Sequence, residues 1–193
     1  MNKGVFLDRD GVINPNVFNK VTGEWESPHH PKDFTIFPWA LQALQQLQDN
    51  KYCLFLISNQ PSYAKGKTSM ENIKAIHDKF HAILIHNQIR FTEYYYCYHH
   101  PQGIVPELSI ECDCRKPGTF FLRDAESKYS LTMRESWIIG DRESDIICGQ
   151  NAGTRTIILV SQDEPAGKIT GGCASDFKAA TLLEAVNIIL CQQ

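Results

Sequence analysis

Two short runs bring carboxylates to spacings that suit phosphoryl chemistry. In FLDRDGVIN an apolar run delivers Asp8, then Arg9, Asp10 and Gly11. Two acids flank a tight turn there, so one can act as a nucleophile that also binds a divalent cation while the other exchanges a proton with the leaving group. In IIGDRESDI, Asp141 closes a second apolar run and Asp145 follows across a helix start, adding oxygen donors of the kind Mg²⁺ accepts beside water and phosphate. Between them, LISNQ offers the Ser58 hydroxyl and Asn59 amide as neutral donors to phosphoryl oxygens, with Gln60 next to them as a substrate contact. Lys116 can stabilise charge developing on a transferred phosphoryl group, and Arg115 can grip a second phosphate or a hydroxyl-rich substrate.

A third run reads as a metal site of another kind. Cys97-x-His99, twelve intervening residues and Cys112-x-Cys114 supply three thiolates and one imidazole, a complete tetrahedral Zn²⁺ set, with His100 as the competing imidazole. A closed set has no open position for water, so the zinc is expected to be structural, fixing Arg115 and Lys116, which follow Cys114 directly. Cys53, Cys148, Cys173 and Cys191 are scattered and read as small buried apolar residues. The stretch KGKTS suggests a phosphate-binding loop, but the glycine such a loop needs is replaced by Pro61.

Each acidic or basic group alone has a plainer reading as a solvated turn, a strand-end cap or a surface charge. What gathers them is the order of elements. Continuous apolar runs at residues 4–8, 51–59, 91–98, 136–141 and 154–160 alternate with helical patterns at 38–50, 69–88, 118–129, 143–151 and 179–191. Two-sided apolar strands alternating with helices predict an α/β, doubly wound parallel sheet with helices on both faces. The acids, the Ser-Asn pair and the cysteine loop all follow strand ends, where such folds bind ligands. Residues 11–57 hold one predicted helix and an irregular stretch, too little for a separate cap domain over the site.

The 193 residues read as one domain, 1–193, with the zinc loop at 97–116. A net charge of −3 gives no general attraction for nucleic acid, and apolar runs of about five residues are far short of a membrane span. A cytoplasmic monomer without nucleic-acid or membrane partners is the expectation.

These segments, in this order, resemble the haloacid dehalogenase superfamily of aspartate-nucleophile phosphatases, a likeness that covers essentially the whole chain. Within it, FLDRDGVIN, the C-x-H and C-x-C-R-K-P pair, and GDRESDIICGQNAG resemble the heptose 1,7-bisphosphate phosphatases, with histidinol-phosphate phosphatases as near relatives. The resemblance implies a Rossmann-like sheet, catalytic Mg²⁺ held by Asp8, Asp10 (through its carbonyl), Asp141 and Asp145, and a small phosphorylated sugar as substrate. It also implies substrate contacts from Asn16 to Asn19 and from Arg142. The chain departs from that pattern at PSYAKG, where the heptose enzymes carry S-G-I-A-R-G. Hydrolysis of histidinol phosphate or another small phosphate ester, and a non-catalytic zinc-stabilised binding module, are the competing readings.

Overall fold

The computed structural model describes residues 2–160 and 174–192. Six strands form one parallel sheet in the order β5-β4-β1-β6-β7-β8: β1 (Gly4–Leu7), β4 (Cys53–Asn59), β5 (Glu93–Cys97), β6 (Trp137–Gly140), β7 (Arg155–Leu159) and β8 (Phe177–Ala179). The helices are α1 (Ala40–Asp49), α2 (Met70–His86), α3 (Phe120–Tyr129), α4 (Glu143–Ala152) and α5 (Leu182–Cys191).

Alternation along the strands separates two cores. Val5, Leu7, Leu54, Leu56, Trp137 and Ile139 face one layer, where they meet Leu44 and Leu47 of α1, Ile76 and Phe80 of α2, and Val186 and Ile189 of α5. Phe6, Phe55, Ile57 and Ile138 face the other, against Leu122 and Ala125 of α3 and Cys148 and Ala152 of α4. Because both faces are covered, each central strand is apolar throughout, which is why these runs are continuous in the sequence.

Three expectations change. The stretch after Asn14, expected to be irregular, contains an antiparallel hairpin of β2 (Val17–Asn19) and β3 (Glu24–Glu26), with Phe18 paired across to Trp25. The segment expected to be helical from 179 is strand at its start: Ala179 ends β8 and the helix begins at Leu182, capped by the Thr181 hydroxyl accepting from the Glu184 N–H. Of the scattered cysteines only Cys148 is buried; Cys53 is half-buried, Cys191 is exposed at the last turn of α5, and Cys173 lies outside the described residues. No separate cap domain stands over the strand ends among the described residues, and none of the described helices is long and apolar enough to cross a membrane.

Candidate active site

Parallel register carries the ends of β1, β4 and β6 to one level, with Leu7 opposite both Leu56 and Ile139. Asp8 and Asp141 therefore leave adjacent strands side by side. Gly11 turns the chain back at a φ of 87°, and a Cβ there would collide with the Asp141 carboxylate, so a glycine is required for the two acidic segments to meet. Asp8, Asp141 and Asp145 are all buried, and each offers a carboxylate oxygen within 4.8 Å of the others.

Lys116 binds this group together. Its Nζ lies 2.9 Å from Asp8 Oδ1 and 2.7 Å from Asp145 Oδ1, and donates to the Ile57 carbonyl at 2.7 Å. Asn59 fixes the lysine backbone from both sides, its Oδ1 accepting the Lys116 N–H and its Nδ2 donating to the Lys116 carbonyl. Asp145 accepts the Arg142 N–H at 3.0 Å on its other oxygen, so it is held by the first turn of α4 and by the lysine together. Burial draws the Lys116 ammonium down, but Asp145 and Asp8 push it up further, and it stays charged. Burial pushes the Asp8 carboxyl up to about 7; Lys116 opposes the rise, and the Asp145, Asp141 and Asp10 carboxylates add to it. One lysine does not balance three clustered carboxylates, and an all-oxygen donor set with surplus negative charge fits a hard divalent cation.

Asp10 points elsewhere. Its carboxylate accepts from Arg9 Nε and Nη2 at 3.1–3.2 Å, from Asn14 Nδ2 at 2.9 Å and from Gln60 Nε2 at 2.5 Å. Arg9 is 1% exposed, and its buried guanidinium fixes the orientation of the acid, which itself reaches the cavity above these carboxylates.

The residues expected to hold zinc come together: Cys97, Cys112 and Cys114 have sulfurs 3.3–3.6 Å apart, and His99 Nδ1 lies 3.4 and 3.9 Å from those of Cys114 and Cys97. A tetrahedron with Zn–S bonds of ~2.3 Å has edges of about 3.8 Å, close to this spacing. Three sulfurs so near one another cannot all be thiolates without a cation among them, and the S₃N donor set fits Zn²⁺. His100 stays outside, its Nδ1 accepting the Gln102 N–H.

Above the carboxylates opens a cavity of about 270 Å³. Asp8, Asp10, Asn59, Lys116 and Asp145 lie at its base, and Arg115, Arg142 and Lys65 contribute cations to its walls. Burial lowers the Lys65 pKa, and the nearby Arg115, Lys67 and Arg142 lower it further while Glu24 opposes them. The remaining wall is the hairpin side: Glu24, Trp25, Glu26, Ser27 and His29. Three contacts pin it to the segment after β4: Lys67 Nζ to Glu26, Ser27 Oγ to Ser62 Oγ at 3.2 Å, and the Thr68 hydroxyl donating to the His29 carbonyl at 2.6 Å.

Four expected substrate or phosphoryl contacts do not line this cavity. Ser58 and Gln60 are buried beneath it, with Gln60 Nε2 donating to the Ser58 hydroxyl as well as to Asp10. Asn19 lies within the hairpin, donating to Glu26 and accepting the Val21 N–H, and Asn16 is buried. Reasoning from the sequence missed Lys65, Lys67, Glu26 and Trp25; the single available signal was the pair of lysines in KGKTS, set aside with the failed phosphate loop.

A parallel sheet with acids at adjacent strand ends and a lysine between them defines a phosphohydrolase of the aspartate-nucleophile type. The HAD-hyrolase-like family model matches residues 113–185. A D-glycero-alpha-D-manno-heptose-1,7-bisphosphate 7-phosphatase of Photorhabdus laumondii is 34% identical over 87% of each chain. Its D-glycero-beta-D-manno counterpart from Vibrio cholerae is 33% identical over 83% of this chain and 82% of that one. Among solved structures, the D,D-heptose 1.7-bisphosphate phosphatase of B. bronchiseptica, complexed with magnesium and phosphate, superposes with a TM-score of 0.80 at 25% identity, over 99% of both chains. The chain belongs to the HAD-like phosphatases, in the branch of these heptose bisphosphate phosphatases, and is a phosphoric monoester hydrolase.

Proposed function

We propose that the protein removes the 7-phosphate of D-glycero-D-manno-heptose 1,7-bisphosphate, releasing the heptose 1-phosphate. Relatives in both anomeric series support the substrate class. The observation that carries the reading is the placing of Lys116 between Asp8 and Asp145 at the base of a cavity whose walls hold Lys65, Arg115 and Arg142. Two separate cationic places suit a molecule with two phosphates.

Asp8 attacks the phosphorus and becomes phosphorylated as the ester bond to the sugar breaks. Lys116 neutralises charge on the transferring oxygens and holds Asp8 in line. Asp10, oriented by Arg9, Asn14 and Gln60, gives a proton to the departing sugar oxygen and then takes one from the water that cleaves the aspartyl-phosphate. Asp8, Asp141 and the Asp10 carbonyl would hold Mg²⁺, with Asp145 keeping the lysine in place. The ion, when bound, screens the repulsion between an anionic nucleophile and an anionic ester. Zn²⁺ in the Cys97, His99, Cys112 and Cys114 set would hold the loop that presents Arg115 and Lys116. Arg115, Lys65 and Arg142 receive the second phosphate.

The test compares kcat/KM on the α and β anomers of the heptose bisphosphate and on histidinol phosphate, with and without Mg²⁺. A heptose bisphosphate is expected to be preferred by at least about tenfold and to require the ion. Preference for histidinol phosphate, or turnover indifferent to Mg²⁺, overturns the assignment.

A further inference from the structure

The cysteine loop meets the walls of the cavity at two places. At its far end Cys114 leads directly into Arg115 and Lys116, while its middle limb, residues 103–105, lies against residues 64–66, the turn that carries Lys65. Ala64 is fully buried, and its carbonyl accepts the Ile104 N–H at 2.6 Å and the Val105 N–H at 3.3 Å. Glycines allow the two backbones to close on each other: a Cβ on Gly103 would lie 3.0 Å from the Ala64 oxygen, and one on Gly66, whose φ is 68°, would lie 2.5 Å from Ile104 Cδ1. Ile104 is 73% exposed and belongs to neither core; what its side chain covers is Gly66. The limb is ordered from within, the Gly103 N–H donating to the His100 carbonyl at 2.9 Å and the Ser109 hydroxyl to the Val105 carbonyl at 2.7 Å. The turn it rests on is closed as well, with the N–H groups of Lys65, Gly66 and Lys67 donating to the carbonyls of Pro61, Tyr63 and Ser62 at 2.8–2.9 Å. Ser62, Lys67 and Thr68 tie the same turn to the hairpin, so Lys65 stands on a segment gripped by two separate elements.

A lysine on a turn binds a phosphate weakly unless the turn holds still, because each freedom lost on binding opposes the attraction. Lys65 lines the cavity wall close enough to Arg115 to feel its charge. We propose that Ile104 is a positioning residue for recognition of the substrate's second phosphate: the limb 103–105, seated on Ala64 and Gly66, holds the turn that presents the Lys65 ammonium beside Arg115. One loop then sets both cations, Arg115 through the chain and Lys65 through the Ile104 contact. The substrate class that depends on Ile104 is an ester with two phosphates; an ester with one is indifferent to it. This inference rests on the phosphatase reading and on Lys65 meeting the second phosphate, and does not depend on which sugar carries it.

The test uses Ile104→Ala, Ile104→Leu, Lys65→Met and the double variant Ile104→Ala/Lys65→Met in the full chain with Mg²⁺ present. Each is assayed on the ester that the wild type turns over best among the heptose bisphosphates, other sugar bisphosphates and histidinol phosphate, and the Ile104 variants also on acetyl phosphate, which has one phosphate and is too small to span Asp8 and Lys65. Ile104→Ala is expected to raise KM on the bisphosphate roughly three- to tenfold with kcat within about twofold. Its acetyl phosphate turnover stays within about twofold, which also shows that the fold and the reacting groups are intact. Ile104→Leu, which still reaches Gly66, should restore KM. In the Lys65→Met background the Ile104→Ala change should add nothing, because a residue that acts through Lys65 has nothing left to position. Full additivity of the two changes, equal losses on acetyl phosphate, or a KM that moves with Lys65→Met but not with Ile104→Ala would overturn the role of Ile104. If another sugar bisphosphate is preferred and the same pattern holds, the heptose assignment fails and Ile104 stands. If histidinol phosphate is preferred and neither single change moves its KM, both fail.

Discussion

Asp8 and Lys116 are the pair on which turnover depends, and they respond differently to substitution. Asp8→Asn keeps the volume and removes the nucleophilic oxygen, so phosphate release should fall on the order of 10⁴-fold or more while the far-ultraviolet spectrum is unchanged. Activity within tenfold of the wild type would remove Asp8 from the nucleophile's role. Lys116→Met should cost both activity and stability, because it leaves Asp8 and Asp145 buried without their shared cation. Breaking a buried pair from one side costs about 3–5 kcal/mol. Urea denaturation in Mg²⁺-free buffer reads that loss; an unchanged midpoint would mean that the lysine does not support the cluster.

At the scale of elements, the cysteine loop carries Arg115 and Lys116, and the ends of β1 and β6 carry Asp8 and Asp141. The loop spans residues 98–115 with one short 3₁₀ turn, Pro106–Leu108, and joins the sheet through Gln60, whose N–H donates to the Cys97 carbonyl at 2.7 Å. Cys112→Ser removes a donor from a partly exposed corner of the cluster. It should release about one zinc per chain, measured after dialysis, and lower kcat because Lys116 loses its anchor two residues beyond Cys114. Retention of zinc and full kcat would separate the loop from catalysis. What could be read in the sequence follows the same division. The strands show as continuous apolar runs because both sheet faces are covered, and the C-x-H and C-x-C spacing records the four-donor cluster directly. The hairpin does not show: VFN and EWE are three residues each, too short an alternation to signal a strand. With the hairpin hidden, Glu26 could not be placed beside Lys67 at the cavity wall. Gln60 and Asn59 were legible as polar groups at a strand end, but whether they face substrate or hold Asp10 and Lys116 depends on side-chain direction, which spacing does not encode.

For the whole molecule, one sheet links residues from Gly4 to Ala179, so we expect 1–193 to unfold as a single cooperative unit whose stability reports on the site. Without Mg²⁺, Asp8 is raised from 3.8 to about 7, above its unfolded value. Between those values the folded state holds a proton that the unfolded chain has lost, so this contribution is full at low pH and is lost as pH rises through about 7. His29, His77 and His100, each lowered chiefly by burial, act in the opposite direction near neutrality, so the raw melting temperature mixes the two. The Mg²⁺-induced shift does not, because those histidines are common to both measurements. Cation binding must displace the Asp8 proton, so affinity at fixed Mg²⁺ should weaken up to about tenfold per unit below pH 7. The rise in Tm on adding Mg²⁺ should therefore be larger at pH 8 than at pH 6, by roughly 3 °C or more for a chain of this size. In Asp8→Asn, which has no proton to displace there, the shift should be nearly flat with pH. A wild-type shift that is equal at both pH values, or larger at pH 6, would show that the cation does not bind at the Asp8 carboxylate.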